Sequence, residues 1–215
     1  MSHSIDLAQL RREYKHAELL EGSIEAHPIE QFKKWFTEAL EAQVLEPNAM
    51  CLSTVMGDLP HSRVVLLKGL ESNGFVFFTN YLSHKGEHIL NNPNVALNFL
   101  WLELERQVRI SGQAFPISAE DSDAYFYARP FESQVGAVVS HQSQLIPSRD
   151  ALEQAMTLAL QTYSPETIKR PEHWGGYLVL PTRIEFWQGR SSRLHDRIVY
   201  DKQSENTWTI SRLSP

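Results

Sequence analysis

Between residues 49 and 114 the chain is a succession of short apolar runs, most of them cut off by turn residues rather than followed by a helix. AMCLSTVM (49–56) and HSRVVLLKG (61–69) flank the turn GDLP and read as a hairpin. GFVFFT (74–79), NVALNFLWL (94–102) and ERQVRISGQA (105–114) read as further strands. One helical stretch interrupts them, Ser83 to Asn91, closed by the punctuation NNP. Strands therefore do not alternate regularly with helices, as a parallel βαβ sheet requires, and neither G-x-G-x-x-G nor G-x-x-x-x-G-K-[ST] occurs. The expected fold is mainly β with flanking helices (α+β), with a Greek-key or barrel-like core.

The helices are equally explicit. Pro28 opens a pattern in which Phe32, Trp35, Phe36, Ala39 and Leu40 recur at helical spacing, and Pro47 ends it. Ser118 and Asp121 form a capping signature that starts a helix ending at Arg129, before Pro130. Residues 148–162 carry another helical pattern, and 174–180, 182–188, 193–200 and 207–211 close the chain as strands. Residues 1–27 are charged and short of apolar periodicity, which predicts a mobile N-terminal arm. Residues 28–215 are expected to form a single domain. With 42% hydrophobic and 21% charged residues, the chain needs no disulfide or metal staple to hold a core.

The net charge of −6 argues against nucleic acid or a membrane surface as partner, since both favour basic faces. No run approaches the roughly 18 apolar residues of a spanning helix. The polar start MSHSIDLAQLRREYKH shows no secretory signal. Cys51 stands alone in an apolar run and reads as a small buried hydrophobe. A cytoplasmic location is expected.

Four constellations could carry chemistry. Arg63 and Lys68 bracket four apolar residues, and strict alternation would face them to opposite sides, either to serve different ligands or to leave one solvated. In FFTNYLSHKGEHIL, Thr79 and Lys85 stand where a loop feeds a helix N-terminus, a favourable place for an anion. His84 and His88 lie four apart but lack a carboxylate or cysteine partner at metal-site spacing, so no metal is expected. Tyr125 and Arg129 share a helical face, with Ser133 just beyond Pro130. They make either a phosphate clamp or a helix end capped by arginine. Arg193, His195 and Arg197 occupy alternate positions of an expected strand, with Leu194 and Ile198 facing a core and Trp187 nearby. Such a row repels itself without an anion between its members, although a solvated basic edge strand is the other reading. Gln107 and the Gln142–Ser143 pair are weak alone. Neither a nucleophile triad nor a useful carboxylate pair is present.

Taken in order, LRREY (10–14), RVVLLK (63–68), FFTN (77–80), ERQVR (105–109), YFYARPFESQVGA (125–137), QS (142–143), WGGY (174–177), EFWQGR (185–190), RLHDR (193–197) and the terminal RLSP resemble the pyridoxine (pyridoxamine) 5′-phosphate oxidase family. The resemblance implies a split β-barrel homodimer with FMN in clefts at the subunit interface. It implies oxidation of pyridoxamine or pyridoxine 5′-phosphate to pyridoxal 5′-phosphate, with oxygen as acceptor, peroxide as product and ammonia from the amine. Arg63, Val64, Val65, Leu66, Leu67, Lys68, Phe78, Thr79, His84, Lys85, Gln142 and Ser143 would line the cofactor cleft, with Gln107, Trp187 and Arg197 around the isoalloxazine. Lys68, Tyr125, Arg129 and Ser133 would hold the substrate phosphate. Arg193, Leu194 and His195 would lie against its ring, and Arg193, His195 and Arg197 would carry the catalysis. Arg11, Arg12, Glu13 and Tyr14 would belong to a lid. His84 stands where many relatives have arginine, a weaker phosphate partner. Phe78 stands where tyrosine is common. A phenazine-pathway flavin oxidase on the same scaffold and a non-catalytic flavin or pyridoxal phosphate carrier are the competing readings.

Overall fold

The computed structural model describes residues 13–14, 17–205 and 207–215. Its strands are β1 (Ala49–Met56), β2 (Leu59–Leu66), β3 (Gly69–Glu71), β4 (Gly74–Asn80), β5 (Asn94–Trp101), β6 (Arg106–Pro116), β7 (Trp174–Gln188), β8 (Asp196–Ser204) and β9 (Thr207–Arg212). Helices are α1 (Pro28–Glu41), α2 (His84–Asn91), α3 (Ala119–Ala128), α4 (Phe131–Val139) and α5 (Arg149–Thr162). Hydrogen bonding orders the sheet β2-β1-β5-β6-β7-β4-β3, with β8 paired to β7 and β9 to β8. The pairs β1–β2, β3–β4, β4–β7, β7–β8 and β8–β9 are antiparallel. The mainly β, α+β expectation agrees with this architecture. No helix of the described residues is long and apolar enough to cross a membrane.

Contacts divide the chain into two compact units. The first comprises the chain up to Pro47, Asn98–Ile110 and Arg183–Pro215. Its core is aromatic. The buried face of α1 carries Ile29, Phe32, Trp35 and Ala39. The Phe32 ring lies 5.0 Å from Phe99, while Trp35 meets Phe186 edge-on at 5.2 Å and Phe186 meets Tyr200 at 5.6 Å. Pro28 sits in the first turn, where a missing N–H costs nothing, and the His27 ring nitrogen accepts the Ile29 N–H. The helix ends at Glu41, short of Pro47, because the chain turns into left-handed backbone at Gln43 (φ 55°). Residues 17–27, read as part of the arm, are tied down here. Leu19 is buried and its N–H donates to Asp196, whose carboxylate also pairs with Arg212.

The second unit comprises Asn48–Leu97 and Ser111–Thr182. The β1–β2 hairpin turns on Gly57 and Asp58, with Gly57 supplying the positive φ that the tight turn needs. Phe126, Val135, Ala137, Ala159, Ile168 and Trp174 pack the three later helices together. Cys51 is only half buried.

Three local readings need correcting. Residues 174–180 and 182–188 form one strand that runs through Pro181. Gly112 makes room for it, because a Cβ there would collide with the Leu180 carbonyl and touch the Pro181 Cα. Residues 131–139, for which the sequence reading gives no element, form α4; Pro130 stands at its N-terminus, where proline is tolerated. The strand expected over 193–200 begins only at Asp196, after a 3-10 turn at Ser191–Arg193 in which Ser192 and Arg193 have φ of 55° and 62°.

Phe186 joins Trp35 to Tyr200 with no exposed surface. Phe186→Ala should therefore cost about 3–5 kcal/mol of stability, read as a lowered urea midpoint at constant slope.

Candidate active site

The second unit contains a cavity of about 710 Å³ walled by several structural pieces. Strand β2 and the residues after it contribute Arg63, Val64, Val65, Leu66 and Lys68. Strand β4 contributes Phe78, Thr79 and Asn80, α2 contributes Lys85, and the α3–α4 corner contributes Tyr125, Arg129 and Ser133. Gln142 and Trp174 complete it with a few small residues. Four of these side chains are cations and none is a carboxylate. In a protein of net charge −6 that is a strongly selective arrangement for an anion.

Local structure explains each placement. Strand β2 ends at Leu66, and Leu67 turns inward, its N–H donating to the Asn48 carbonyl. Strict alternation stops there, so Arg63 and Lys68 border the same cavity rather than opposite faces. Ser83 caps α2 and accepts from Gly86, whose missing side chain lets the helix start against the Tyr81 carbonyl. Lys85, in the first turn, donates to Gln142 Oε1 at 2.7 Å and Ser83 Oγ at 3.3 Å, and Thr79 donates to the same Gln142 oxygen. Burial and then the charge of Arg63 push the Lys85 ammonium down to about 8.

Phe78, Tyr125 and Trp174 form a stacked shelf, with Phe78 and Tyr125 only 3.8 Å apart and 19° from parallel. The shelf depends on Gly176, where a Cβ would strike Ile117 and press on Phe78. Ser122 accepts the Gly176 N–H, and Tyr81 donates to its carbonyl. Arg129 lies over Trp174 at 4.6 Å, with its carbonyl held by Gln134. Its Nη1 is buried and has no hydrogen-bond partner among the described residues. The guanidinium thus does not cap its own helix, and its buried Nη1 retains the capacity to donate to an anion. Burial lowers the pKa of Arg129 and raises that of Tyr125.

Other expected residues stand apart from this cavity. His84 is exposed, its ring parallel to that of His88 at 6.4 Å. Ser143 is exposed with φ 71°, and Leu67 lies beneath the wall. No group of three His, Cys, Asp or Glu able to hold a metal occurs among the described residues. Trp174 and Asn80 line the cavity without having been singled out, although Trp174 heads the WGGY motif.

The first unit carries a separate cluster. His195 lies 4.7 Å from Trp187 and 5.6 Å from Tyr14, and its Nδ1 accepts the Arg190 N–H at 3.0 Å. Tyr14 fits because position 189 is glycine; a Cβ there would come within 2.8 Å of its ring. Burial and the neighbouring Arg193 charge lower the His195 pKa, against the pull of Asp196. The neutral ring, accepting at Nδ1, carries its proton on Nε2. Gln107 is half buried and Glu13 exposed, while Arg11 and Arg12 lie outside the described residues.

The expected row Arg193–His195–Arg197 on one strand face is not formed. Left-handed backbone at Ser192 and Arg193 breaks the alternation, and Leu194, expected to face a core, is 70% exposed. Nor does Arg197 need an external anion to offset repulsion. Its Nε donates to buried Glu185 at 2.8 Å, Arg109 donates to the other oxygen of the same carboxylate, and Nη1 donates to the Ser214 carbonyl. Glu185 carried no signal of its own in the sequence, yet it lies diagonal to Arg197 once β7 and β8 are paired, Trp187 opposite Arg197.

Residues 36–163 match the family model described as pyridoxamine 5′-phosphate oxidase, and 174–215 match the pyridoxine 5′-phosphate oxidase C-terminal dimerisation region. The chain belongs to the pyridoxamine 5′-phosphate oxidase family. Family members named pyridoxine/pyridoxamine 5′-phosphate oxidase include one from Trichormus variabilis, 52% identical over 97% of this chain and 98% of its own length. Another, from Actinobacillus pleuropneumoniae, is 52% identical over 98% of this chain and all of its own. Among solved structures, PhzG from Burkholderia lata, in complex with tetrahydrophenazine-1-carboxylic acid, matches with a TM-score of 0.85 at 29% identity, over 92% of this chain and 98% of that one. A pyridoxamine 5′-phosphate oxidase-related, FMN-binding protein from Nostoc punctiforme shares the fold at a TM-score of 0.68 and 17% identity, over 86% of this chain and 97% of that one. The split-barrel expectation thus agrees with the fold of this family.

Because Lys85 is charged only below about 8, inorganic phosphate should bind the cofactor-free protein more weakly as pH rises through that value. A loss of about tenfold is expected by calorimetry, and Lys85→Arg should flatten it.

Proposed function

We propose that this chain oxidises pyridoxamine and pyridoxine 5′-phosphates to pyridoxal 5′-phosphate, using FMN as cofactor and oxygen as acceptor, with release of hydrogen peroxide and, from the amine, ammonia. The observation that carries the reading is the cavity with four cations and no carboxylate, floored by a stacked aromatic shelf. Two phosphorylated ring compounds, cofactor and substrate, ask for such a site.

The residues fit FMN. Arg63 and Lys85 are cations on one wall, while Gln142 and Thr79 add uncharged polar groups beside them. These would grip its phosphate and neighbouring groups; His84 and Ser143, outside the cavity lining, would join them only as chain neighbours of Lys85 and Gln142. Bound FMN supplies the electron-accepting ring; the protein supplies orientation and charge. Lys68, Tyr125, Arg129 and Ser133 would hold the substrate phosphate, Arg129 using its unpartnered Nη1. Gln107, Trp187 and Arg197 would surround the isoalloxazine. Arg193, Leu194 and His195 would bear on the pyridine ring, and Arg11, Arg12, Glu13 and Tyr14 would form the lid. In its neutral tautomer His195 offers an Nε2 hydrogen as donor. Arg197 is held above its ordinary pKa by Glu185, so it is a fixed positive charge at every working pH.

The match of residues 174–215 to a dimerisation region supports a homodimer in which a second copy completes each cleft. The single cysteine supports a reducing, cytoplasmic setting. Likeness to PhzG keeps a phenazine-precursor oxidase as the second reading. A purified yellow protein that makes pyridoxal phosphate and peroxide from pyridoxamine phosphate supports the first. Turnover of a tetrahydrophenazine carboxylate alone would support the second, and a yellow protein turning over neither would indicate a carrier.

Arg197→Leu should lower kcat about a hundredfold or more in protein that still binds FMN. Arg129→Ala should instead raise KM for pyridoxamine phosphate about tenfold with kcat little changed, because a phosphate grip is uniform binding. A depressed kcat at unchanged KM would contradict that role for Arg129.

A further inference from the structure

Arg63 does not reach the cavity as a free side chain. Its Nη1 directs two hydrogens at three protein acceptors within bonding distance: Thr54 Oγ1 at 2.7 Å and, sharing, the His61 carbonyl at 3.1 Å and the Leu52 carbonyl at 3.2 Å. No protein acceptor takes its Nε or Nη2 among the described residues, and Arg63 lines the cavity. The bonds at Nη1 therefore set the direction in which the rest of the guanidinium is presented. Two of the three are main-chain carbonyls of the β1–β2 hairpin, where Leu52 pairs with Arg63 and Thr54 with His61. The third can change.

Thr54 is fully buried, and its hydroxyl touches a second partner, His88 Nδ1, at 3.0 Å. A guanidinium only donates, so Thr54 Oγ1 accepts from Arg63 and must place its one hydrogen elsewhere. His88 Nδ1 is the acceptor in reach. That arrangement calls for His88 as the neutral tautomer with its hydrogen on Nε2. A protonated His88 would point an N–H at the hydroxyl instead and leave the Thr54 hydrogen without an acceptor in a buried place.

We propose that Thr54 and His88 form a hydrogen-bonded brace that positions the Arg63 guanidinium toward the anion cavity, and that the brace holds only while His88 is neutral. This rests on the reading of Arg63 as a ligand of the cofactor phosphate. Thr54 and His88 are positioning residues, since neither lines the cavity. The surroundings of His88 favour the neutral state. From β2 it faces His61, whose ring centre is 4.6 Å away, and Arg63; from its own helix it faces His84 and, opposing them, Glu87. Burial is the largest influence and acts in the same direction as the cations, lowering its pKa below the usual histidine value. The sign follows: the brace is intact at neutral and alkaline pH and lost as pH falls through the lowered pKa of His88.

The test is FMN binding to the full-length protein stripped of flavin, read by quenching of flavin fluorescence, with riboflavin as the phosphate-free control. Thr54→Val keeps the shape and removes the hydroxyl; it should weaken FMN about five- to twentyfold and leave riboflavin unchanged. Thr54→Ser should restore wild-type affinity. His88→Gln keeps an acceptor that does not titrate, so it should match the wild type at alkaline pH and bind FMN more tightly than the wild type in acid. Arg63→Ala separates the two levels of the inference. If it weakens FMN while Thr54→Val does not, or if Thr54→Val weakens riboflavin equally, the brace is wrong and the phosphate assignment stands. If Arg63→Ala binds FMN as the wild type does, the assignment of Arg63 falls and the brace falls with it. A His88→Gln to wild-type affinity ratio that does not change with pH overturns the dependence on His88.

Discussion

Positive charge without a matching carboxylate, gathered in a concave site, is the condition that the second unit is built to satisfy. Burial penalises each cation, which is why Lys85 is pushed down to about 8 and both Arg63 and Arg129 are lowered. The unit meets that penalty with neutral partners. Gln142 and Ser83 accept from Lys85, Thr54 and two main-chain carbonyls accept from Arg63, and the face of Trp174 lies beneath Arg129. None of these partners cancels the charge, so the field of the cavity remains available to a ligand. The glycines at 86 and 176 serve the same end, letting α2 begin and the aromatic shelf stack where a side chain would obstruct them.

The cluster in the first unit follows the opposite rule. Arg197 and Arg109 share the buried Glu185, and Arg190 and Arg212 pair with Glu18, Glu21 and Asp196. Here arginine charge is fixed in place by carboxylate partners. His195 is held neutral and oriented by a main-chain N–H. One set of cations is thus arranged to attract, and the other to keep side chains in place.

Much of this is legible in the sequence. Among the described residues, turn residues and apolar runs locate eight of the nine strands within a few residues, because antiparallel strands announce their ends locally. Arg63, Lys68, Thr79, Lys85, Tyr125, Arg129 and Ser133 stand out as candidates in the sequence, and the structure brings them together around one cavity with Gln142. What escapes is whatever depends on backbone departing from period. Leu67 ends the alternation between Arg63 and Lys68, and Ser192 and Arg193 enter the left-handed region that few non-glycine residues adopt. Neither break has a composition signal. Glu185 is hidden for a different reason: its partnership with Arg197 exists only across two paired strands, and the register of that pairing is set by a turn whose conformation the residues do not reveal.

The neutrality of Gln142 matters as much as its position. Its amide oxygen accepts from both Lys85 and Thr79, the geometry a carboxylate oxygen would also adopt. Glutamine and glutamate differ there by a single atom and a unit of charge. With glutamate the cavity would contain its own permanent counter-ion, and an incoming phosphate would have to compete with a tethered rival at very high effective concentration. The selectivity of the site is therefore kept by an amide that imitates an acid in shape while withholding its charge.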